Sequence, residues 1–209
     1  MYTGIVQACL PISQLEKREG MYSFSIPFSE ELLRDLETGA SVSLNGVCFT
    51  VTGFKSNEIS FEAVKETLEL TNIKAVEVGT LVNIERSAKH DVEVGGHIMS
   101  GHVAGTAEVV DVEVSPNNHR LTFRCDPEWL KYVFNKGFLG INGVSLTVAM
   151  LNRETSEIAV NLIPETQART NFGHLEKGDE VNIEIESQTQ VIVDTIERVM
   201  ADRFPDTRR

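Results

Sequence analysis

A chain of 209 residues, 41% apolar and 24% charged, is long enough for two ordinary domains and apolar enough to bury a core in each, which excludes a disordered polypeptide. Its formal net charge of −12 excludes a broad nucleic-acid footprint or an anionic membrane surface as partner, because both need clustered Lys and Arg. Cys9, Cys48 and Cys125 have no Cys-x-x-Cys spacing, the start has no signal-peptide pattern and no run of about 18 apolar residues occurs, so a cytoplasmic protein without disulfides, structural zinc or membrane span is expected.

In chain order, Thr3-Gly4-Ile5-Val6 is predicted to open the chain as a short strand, and Ser100-Gly101-His102-Val103 repeats that opening 97 residues on. Tyr22 to Ile26 alternates Tyr22, Phe24 and Ile26 on one face with Ser23 and Ser25 on the other, a strand pattern matched by Leu121, Phe123 and Cys125. A short helix capped by Ser29 and ended by Gly39 follows the first, and one opened by Asp126-Pro127 and closed by Gly137 follows the second. Then comes Asn45-Gly46-Val47-Cys48-Phe49-Thr50-Val51, repeated with five of seven letters identical as Asn142-Gly143-Val144-Ser145-Leu146-Thr147-Val148. An Asn-Gly turn entering an alternating strand sets Cys48 and Thr50 on one face, and Ser145 and Thr147 on the matching one. Alone these are ordinary hairpins; their recurrence with other polar residues at near-constant offset makes the chain a duplication.

Strand-like runs Ile59 to Val64 and Ile158 to Ile163 lead into related turns, Lys65-Glu66-Thr67 to Asn72 and Pro164-Glu165-Thr166 to Asn171. The last strands, Gly79 to Glu85 and Gly178 to Glu184, both end Val-Asn-Ile-Glu. Short strands, one small helix per half and Gly-rich turns describe a small closed antiparallel barrel. Beyond Ser187 the period becomes helical, with Val193, Ile196 and Met200 on one face widened by Ile192 and Val199, predicting a helix from Gln188 to about Ala201. Its stripe can be buried on its own barrel or against copies of itself, and the charged tail Asp202 to Arg209 is expected to fray. The division expected is 1–97, 98–187 and 188–209.

Met1 to Val6, Asn45 to Val51, Lys65 to Asn72, Gly95 to Val103, Lys136 to Val148, Ile163 to Thr166 and Val181 to Asp194 together resemble the riboflavin synthase family. The resemblance implies a mainly β fold of two tandem, similar six-stranded antiparallel closed barrels plus a C-terminal helix, assembled as a homotrimer through that helix. It implies a transferase acting on two molecules of 6,7-dimethyl-8-ribityllumazine. One gives four carbons to the other, yielding riboflavin and 5-amino-6-(D-ribitylamino)uracil, with no metal or redox cofactor. Carried over by position, a first pocket comprises Gly4, Ile5 and Val6, then Cys48, Phe49 and Thr50, then Glu62, Ala63, Val64, Lys65, Glu66 and Thr67. A second comprises Gly101, His102 and Val103, with Lys136, then Ser145, Leu146 and Thr147, then Ile163, Pro164, Glu165, Thr166, Gln167 and Ala168.

The catalytic candidates are Cys48, His102, Ser41 and Glu186. An imidazole can move a proton near neutral pH, and a thiol can add to a ring carbon or position the substrate. His97 and His102 do not have the spacing of a helical metal pair. Tyr2, Ala104 and Glu186 stand where the family usually has Phe, Asp and Asp. The rival reading is a non-catalytic binding protein, because the chain also resembles the lumazine and flavin antenna proteins of luminous bacteria.

Overall fold

The computed structural model describes residues 1–89, 91, 93–115 and 118–203. The first half contains β1 (Ala8–Pro11), β2 (Gln14–Arg18), β3 (Met21–Pro27), α1 (Glu30–Leu33), β4 (Ser41–Leu44), β5 (Val47–Thr50), β6 (Gly53–Lys55), β7 (Glu58–Val64), α2 (Lys65–Leu70) and β8 (Leu81–Arg86). The second contains β9 (Gly105–Ser115), β10 (Asn118–Arg124), β11 (Phe138–Ile141), β12 (Val144–Asn152), β13 (Glu157–Leu162), α3 (Pro164–Arg169) and β14 (Glu180–Glu184), followed by α4 (Ser187–Arg203). Short 3-10 turns lie at Asn72–Ala75, Pro127–Tyr132 and Asn171–His174.

The second half is a closed six-stranded antiparallel barrel in the order β10-β13-β12-β11-β14-β9. The first follows the same path with two strands broken, giving sheets β1-β8-β4-β5 and β2-β3-β7-β6. The breaks fall at Ile12–Ser13 and Val51–Thr52, where the N–H of Ser13 donates to Ser25 and that of Thr52 to Ser60 at 2.9 Å. In the second half the equivalent positions are bulges: Val110 is skipped between the Thr122–Asp111 and Phe123–Val109 pairs, and Ala149 between Val148–Val160 and Met150–Ala159. A small barrel must bend its strands sharply, and an extra unpaired residue or a break meets the same need.

Each barrel has its own core. Phe24, Phe28, Phe49 and Phe61 fill the first, with ring centroids 5.5–6.2 Å apart. Leu121, Phe123, Leu146 and Phe172 lie in the second. Burying such a side chain contributes about 1.5–3 kcal/mol, so alternation along each strand fixes which face turns inward.

The halves meet turn to turn. Asn45 and Gly46 have φ of 48° and 82°, Asn142 and Gly143 of 43° and 78°, the backbone of a tight hairpin turn. A Cβ on Gly46 would lie 2.7 Å from the Gly143 nitrogen, and one on Gly143 equally close to that of Gly46, so neither turn tolerates a side chain. Around them Asn45, Asn72, Asn83, Asn142, Asn171 and Asn182 interlock. Asn83 Nδ2 donates to the Asn142 carbonyl and Asn171 Oδ1 (both 2.9 Å), and Asn83 Oδ1 accepts from the Asn171 N–H (2.8 Å). By pseudo-symmetry Asn182 Nδ2 donates to the Asn45 carbonyl (2.8 Å) and Asn72 Oδ1 (2.9 Å), and its Oδ1 accepts from the Asn72 N–H (2.7 Å). A buried amide costs stability unless its donors and acceptors are matched, and here each half completes the other.

Several expectations change. Thr3–Val6 and Ser100–Val103 are not strands, because Gly4 and Gly101 turn the backbone at φ of 74° and 82°; the isolated bridge there is Tyr2–Met99. The helix expected to run from Ser29 to Gly39 is the short α1, capped by Ser29, since Asp35 takes a positive φ of 57°. Its counterpart after Asp126 is a 3-10 turn, and the turns after Lys65 and Pro164 contain α2 and α3. The C-terminal helix exceeds its predicted span at both ends. Of the tail expected to fray, Asp202 and Arg203 belong to α4, and residues 204–209 lie outside the described residues. Among the described residues no helix is long and apolar enough to cross a membrane.

Candidate active site

On β5, Val47 and Phe49 turn into the barrel while Cys48 and Thr50 face out. Ser41 and Ser43 on β4 lie opposite Thr50 and Cys48. On β7, Glu62 and Val64 face out beside buried Phe61 and Ala63, and Lys65, Glu66 and Thr67 open α2. The second half repeats this frame: Ser145 and Thr147 face away from the core around buried Leu146, opposite Gly140 and Phe138. Ile163 is exposed where the chain leaves β13 for α3, which carries Pro164 to Ala168, and Lys136 is exposed at a φ of 68° before β11. Phe49, Ala63 and Leu146 thus belong to the cores, and from these positions only backbone groups are offered to a ligand.

The structure exchanges the two glycine-bearing segments, which corrects the pocket assignment drawn from the sequence. Val6 is buried in the core of the second barrel and Val103 in that of the first. The Ser145 N–H donates to the Gly4 carbonyl, and the Cys48 N–H to the Gly101 carbonyl, both at 2.9 Å. Gly4, Ile5 and Val6 therefore accompany Ser145, and Gly101, His102 and Val103 accompany Cys48. A Cβ on Gly4 would lie 2.5 Å from Ser145 Cβ, and one on Gly101 2.7 Å from Cys48 Cβ, so the exchange requires glycine at both places. His102 is exposed, its N–H donating to Ser100 Oγ at 3.1 Å.

Two buried carboxylates hold the exchanged segments. Glu85 accepts from the Thr3 N–H (2.7 Å) and hydroxyl (2.8 Å) and from the Gly4 N–H (3.0 Å). Glu184 accepts from the Ser100 N–H (2.6 Å) and hydroxyl (2.8 Å) and from the Gly101 N–H (3.1 Å). Burial raises both carboxyl pKa values above the ordinary range, and those donors oppose it. Between the segments Tyr2 and Met99 exchange backbone hydrogen bonds of 2.8 and 2.9 Å.

The two faces differ in the groups they carry. In the second, His97 is buried, stacks on Phe138 with centroids 5.4 Å apart and planes at 17°, and shares a 2.6 Å hydrogen bond between Nδ1 and Ser145 Oγ. Its Nε2 is buried without a partner among the described residues, and burial lowers the imidazole pKa against the attraction of Glu186. In the first, Ser41 stands where Phe138 stands in the second, and Cys48 Sγ accepts from the Tyr2 hydroxyl at 3.0 Å. Glu186 caps α4: it accepts from the Gln188 N–H (3.1 Å), the Thr189 N–H (2.7 Å) and the Thr189 hydroxyl. Burial pushes its pKa up, but those donors and His97 outweigh it and hold the carboxyl below its ordinary value. In the sequence Tyr2 stood out only as a departure from the family and His97 only as half of a rejected metal pair, neither as a site residue, and Phe138 was not singled out; the signal for the two glutamates, the repeated Val-Asn-Ile-Glu, marks a strand without saying what its carboxylate holds.

A family model described as the lumazine binding domain matches twice, over residues 3–87 and 100–186. Riboflavin synthase of Escherichia coli (strain K12) is 45% identical over 204 residues, covering 97% of this chain and 95% of that protein. The chain belongs to the riboflavin synthase family. Another member, from Chlamydia pneumoniae, is 36% identical over 99% of this chain and 100% of its own. Among solved structures, LumP complexed with riboflavin superposes with a TM-score of 0.83 at 25% identity, over 89% of this chain and 100% of that one. LumP complexed with 6,7-dimethyl-8-(1'-D-ribityl) lumazine gives 0.78 at 26%, over 88% and 98%. Both family matches begin on the exchanged segments, at the residues whose amide groups Glu85 and Glu184 hold.

Proposed function

We propose that this chain catalyses the riboflavin synthase reaction: two molecules of 6,7-dimethyl-8-ribityllumazine give riboflavin and 5-amino-6-(D-ribitylamino)uracil by transfer of four carbons. The observation that carries this reading is one frame built twice with different working groups. Cys48 with Tyr2 stands in the first pocket and Ser145 with His97 in the second, on a chain 45% identical to a riboflavin synthase. A reaction between two copies of one compound needs two similar sites, and donor and acceptor have different fates, so the sites must differ. Holding the two heterocycles face to face contributes about 7–11 kcal/mol through proximity.

In this reading the first pocket consists of Ser41, Cys48, Thr50, Glu62, Val64 to Thr67 and Gly101 to Val103. The second consists of Gly4 to Val6, Lys136, Ser145, Thr147 and Ile163 to Ala168. Hydroxyls and strand-edge amides take the pteridine and ribityl oxygens, and His102 moves the proton of the donor methyl group. The reaction needs no metal or redox cofactor, since what one lumazine loses the other gains. In this reading, as the family resemblance implies, the first pocket of one chain pairs with the second pocket of a neighbouring chain. The helix α4 supports a homotrimer: Ile192, Ile196, Val199 and Met200 are 58%, 57%, 43% and 51% exposed in the single chain, an apolar stripe that copies of itself can cover. Three free thiols fit a reducing cytoplasm.

The test is incubation of the purified protein with the lumazine, followed by chromatography. Riboflavin and the aminouracil in equal amounts are expected. Lumazine bound stoichiometrically and recovered unchanged would replace this reading with that of a binding protein, which the likeness to LumP favours.

A further inference from the structure

Tyr2 is 2% exposed, its backbone is paired with Met99, and its ring lies against Gly101, where a Cβ would come 2.8 Å from Cε2. Its hydroxyl reaches Cys48 Sγ, 3.0 Å away. The Cys48 main chain is fixed by the same neighbourhood, through its N–H to the Gly101 carbonyl at 2.9 Å. Cys48 therefore has its backbone and one side of its sulfur held from within, while the side chain is exposed on the outer face beside Thr50.

We propose that Tyr2 is a positioning residue for the first site: its buried hydroxyl donates to the Cys48 sulfur and turns the thiol proton outward, toward acceptor atoms of the heterocycle bound on that face. The sense of this bond is fixed by burial. Desolvation, the Cys48 contact and the carboxylates of Glu85 and Glu184 all push the Tyr2 phenol pKa up, so the hydroxyl keeps its proton and acts as donor. A sulfur that accepts on one side presents its S–H on another, and a donor that itself accepts a hydrogen bond is polarised by it. The second site has a different arrangement. Met99 stands where Tyr2 stands in the first, and Ser145 meets the His97 ring, whose tautomer decides which of the two donates. Tyr2 thus gives the first pocket a directed donor that the second lacks, one source of the difference between donor and acceptor sites. The inference rests on the first pocket being a lumazine site.

The experiment compares the full-length wild type with Tyr2→Phe, Cys48→Ala and the double variant, by steady-state turnover of 6,7-dimethyl-8-ribityllumazine and by the Raman S–H stretch, with the Cys48 band identified by its loss in Cys48→Ala. Phe keeps the ring against Gly101 and removes only the hydroxyl. One neutral hydrogen bond corresponds to a loss of about 3- to 10-fold in kcat/KM. That loss is expected in Tyr2→Phe, absent when the same change is made in Cys48→Ala, and accompanied by a shift of the Cys48 S–H band. Should Tyr2→Phe fold poorly, Cys48→Ala alone must shift the Tyr2 ring bands in ultraviolet resonance Raman, since it removes the phenol's acceptor. An unmoved S–H band in Tyr2→Phe, unmoved Tyr2 bands in Cys48→Ala, or a loss of turnover undiminished in the Cys48→Ala background would overturn the proposal. The bands are read without turnover, so the expected shifts in the variants of a protein whose wild type makes no riboflavin count against the proposed reaction and not against the Tyr2–Cys48 bond.

Discussion

Asn83→Ala should destabilise the whole chain, although Asn83 is not among the side chains assigned to either pocket. The substitution removes three hydrogen bonds, all to the other half: two donated by Nδ2 at 2.9 Å and one accepted by Oδ1 at 2.8 Å. It leaves the buried Asn171 N–H without a partner, costing about 1–3 kcal/mol, and takes one donor each from the Asn142 carbonyl and Asn171 Oδ1, about 0.5–1.5 kcal/mol apiece. The expected loss is about 2–6 kcal/mol, a large fraction of the roughly 5–15 kcal/mol typical of a folded protein. Asn182→Ala should cost a similar amount, since Asn182 makes the mirror set of bonds. Asn83→Asp keeps the shape but aims a carboxylate oxygen at two acceptors, so it should be at least as damaging as alanine. Urea unfolding at one fixed protein concentration reads all three, and calorimetry shows whether the halves begin to melt separately. A loss below about 1 kcal/mol for Asn83→Ala, or an Asn83→Asp variant more stable than Asn83→Ala, would refute the reasoning that matched amides join the halves.

Glu85 and Glu184 hold their protons in the folded chain to a higher pH than the ordinary value of 4.5, so their contribution to stability falls as pH rises from there through the raised folded pKa values. The double variant Glu85→Gln/Glu184→Gln should lose that part of the slope in melting temperature against pH; an unchanged slope would contradict it. Deleting residues 188 to 209 should convert trimers to monomers with folded barrels, read by sedimentation, and turnover should fall because pockets no longer pair; a fully active monomer would place both pockets' work within one chain. His102→Ala and Cys48→Ala should lower turnover far more than Cys9→Ala, while Cys125→Ala, at 5% exposed in the second core, should lower melting temperature by a few degrees and leave turnover near wild type. Equal losses from all four would point to folding and not chemistry.

The barrels were legible because strand alternation and the Asn-Gly turns are local signals, and the duplication supplied each twice. Phe24, Phe49 and Phe61 alternate with polar neighbours, and they form the first core. The exchange of Gly4 and Gly101 between barrels was not legible. The bond from Ser145 to Gly4 joins residues far apart in the chain, and no period in the sequence distinguishes it from a bond within one half. The breaks near Ile12 and Val51 were hidden for a related reason: the sequence keeps its alternation through a bend, and only the barrel's small radius forces the chain out of register. In the pockets, Cys48, Thr50, Ser145 and Thr147 emerge on outer faces as the two-residue period requires. The groups that distinguish them, Tyr2 and His97, come from segments without regular structure, where side-chain direction is set by tertiary packing.

That packing makes His97 the most informative probe of the second pocket. Its ring stacks on Phe138, which shields it from water, and Glu186, a capping carboxylate, attracts its charged form. Desolvation is the larger influence and lowers the pKa, so the two neighbours act in opposite directions and their removal must do the same. Phe138→Ala opens the ring to water and should raise the His97 pKa toward the ordinary 6.5, whereas Glu186→Gln should lower it further. The linkage follows. In the wild type the unfolded chain binds the His97 proton at a pH where the folded chain does not, so this residue's contribution is present above pH 6.5 and is lost as pH falls below it through the lowered folded pKa. Phe138→Ala should shrink that acid sensitivity and Glu186→Gln enlarge it. Nuclear magnetic resonance titration of the His97 ring in the three proteins separates the two effects. Shifts in the same direction for both variants would mean that a screen and a charge acting in opposite directions do not set the His97 pKa.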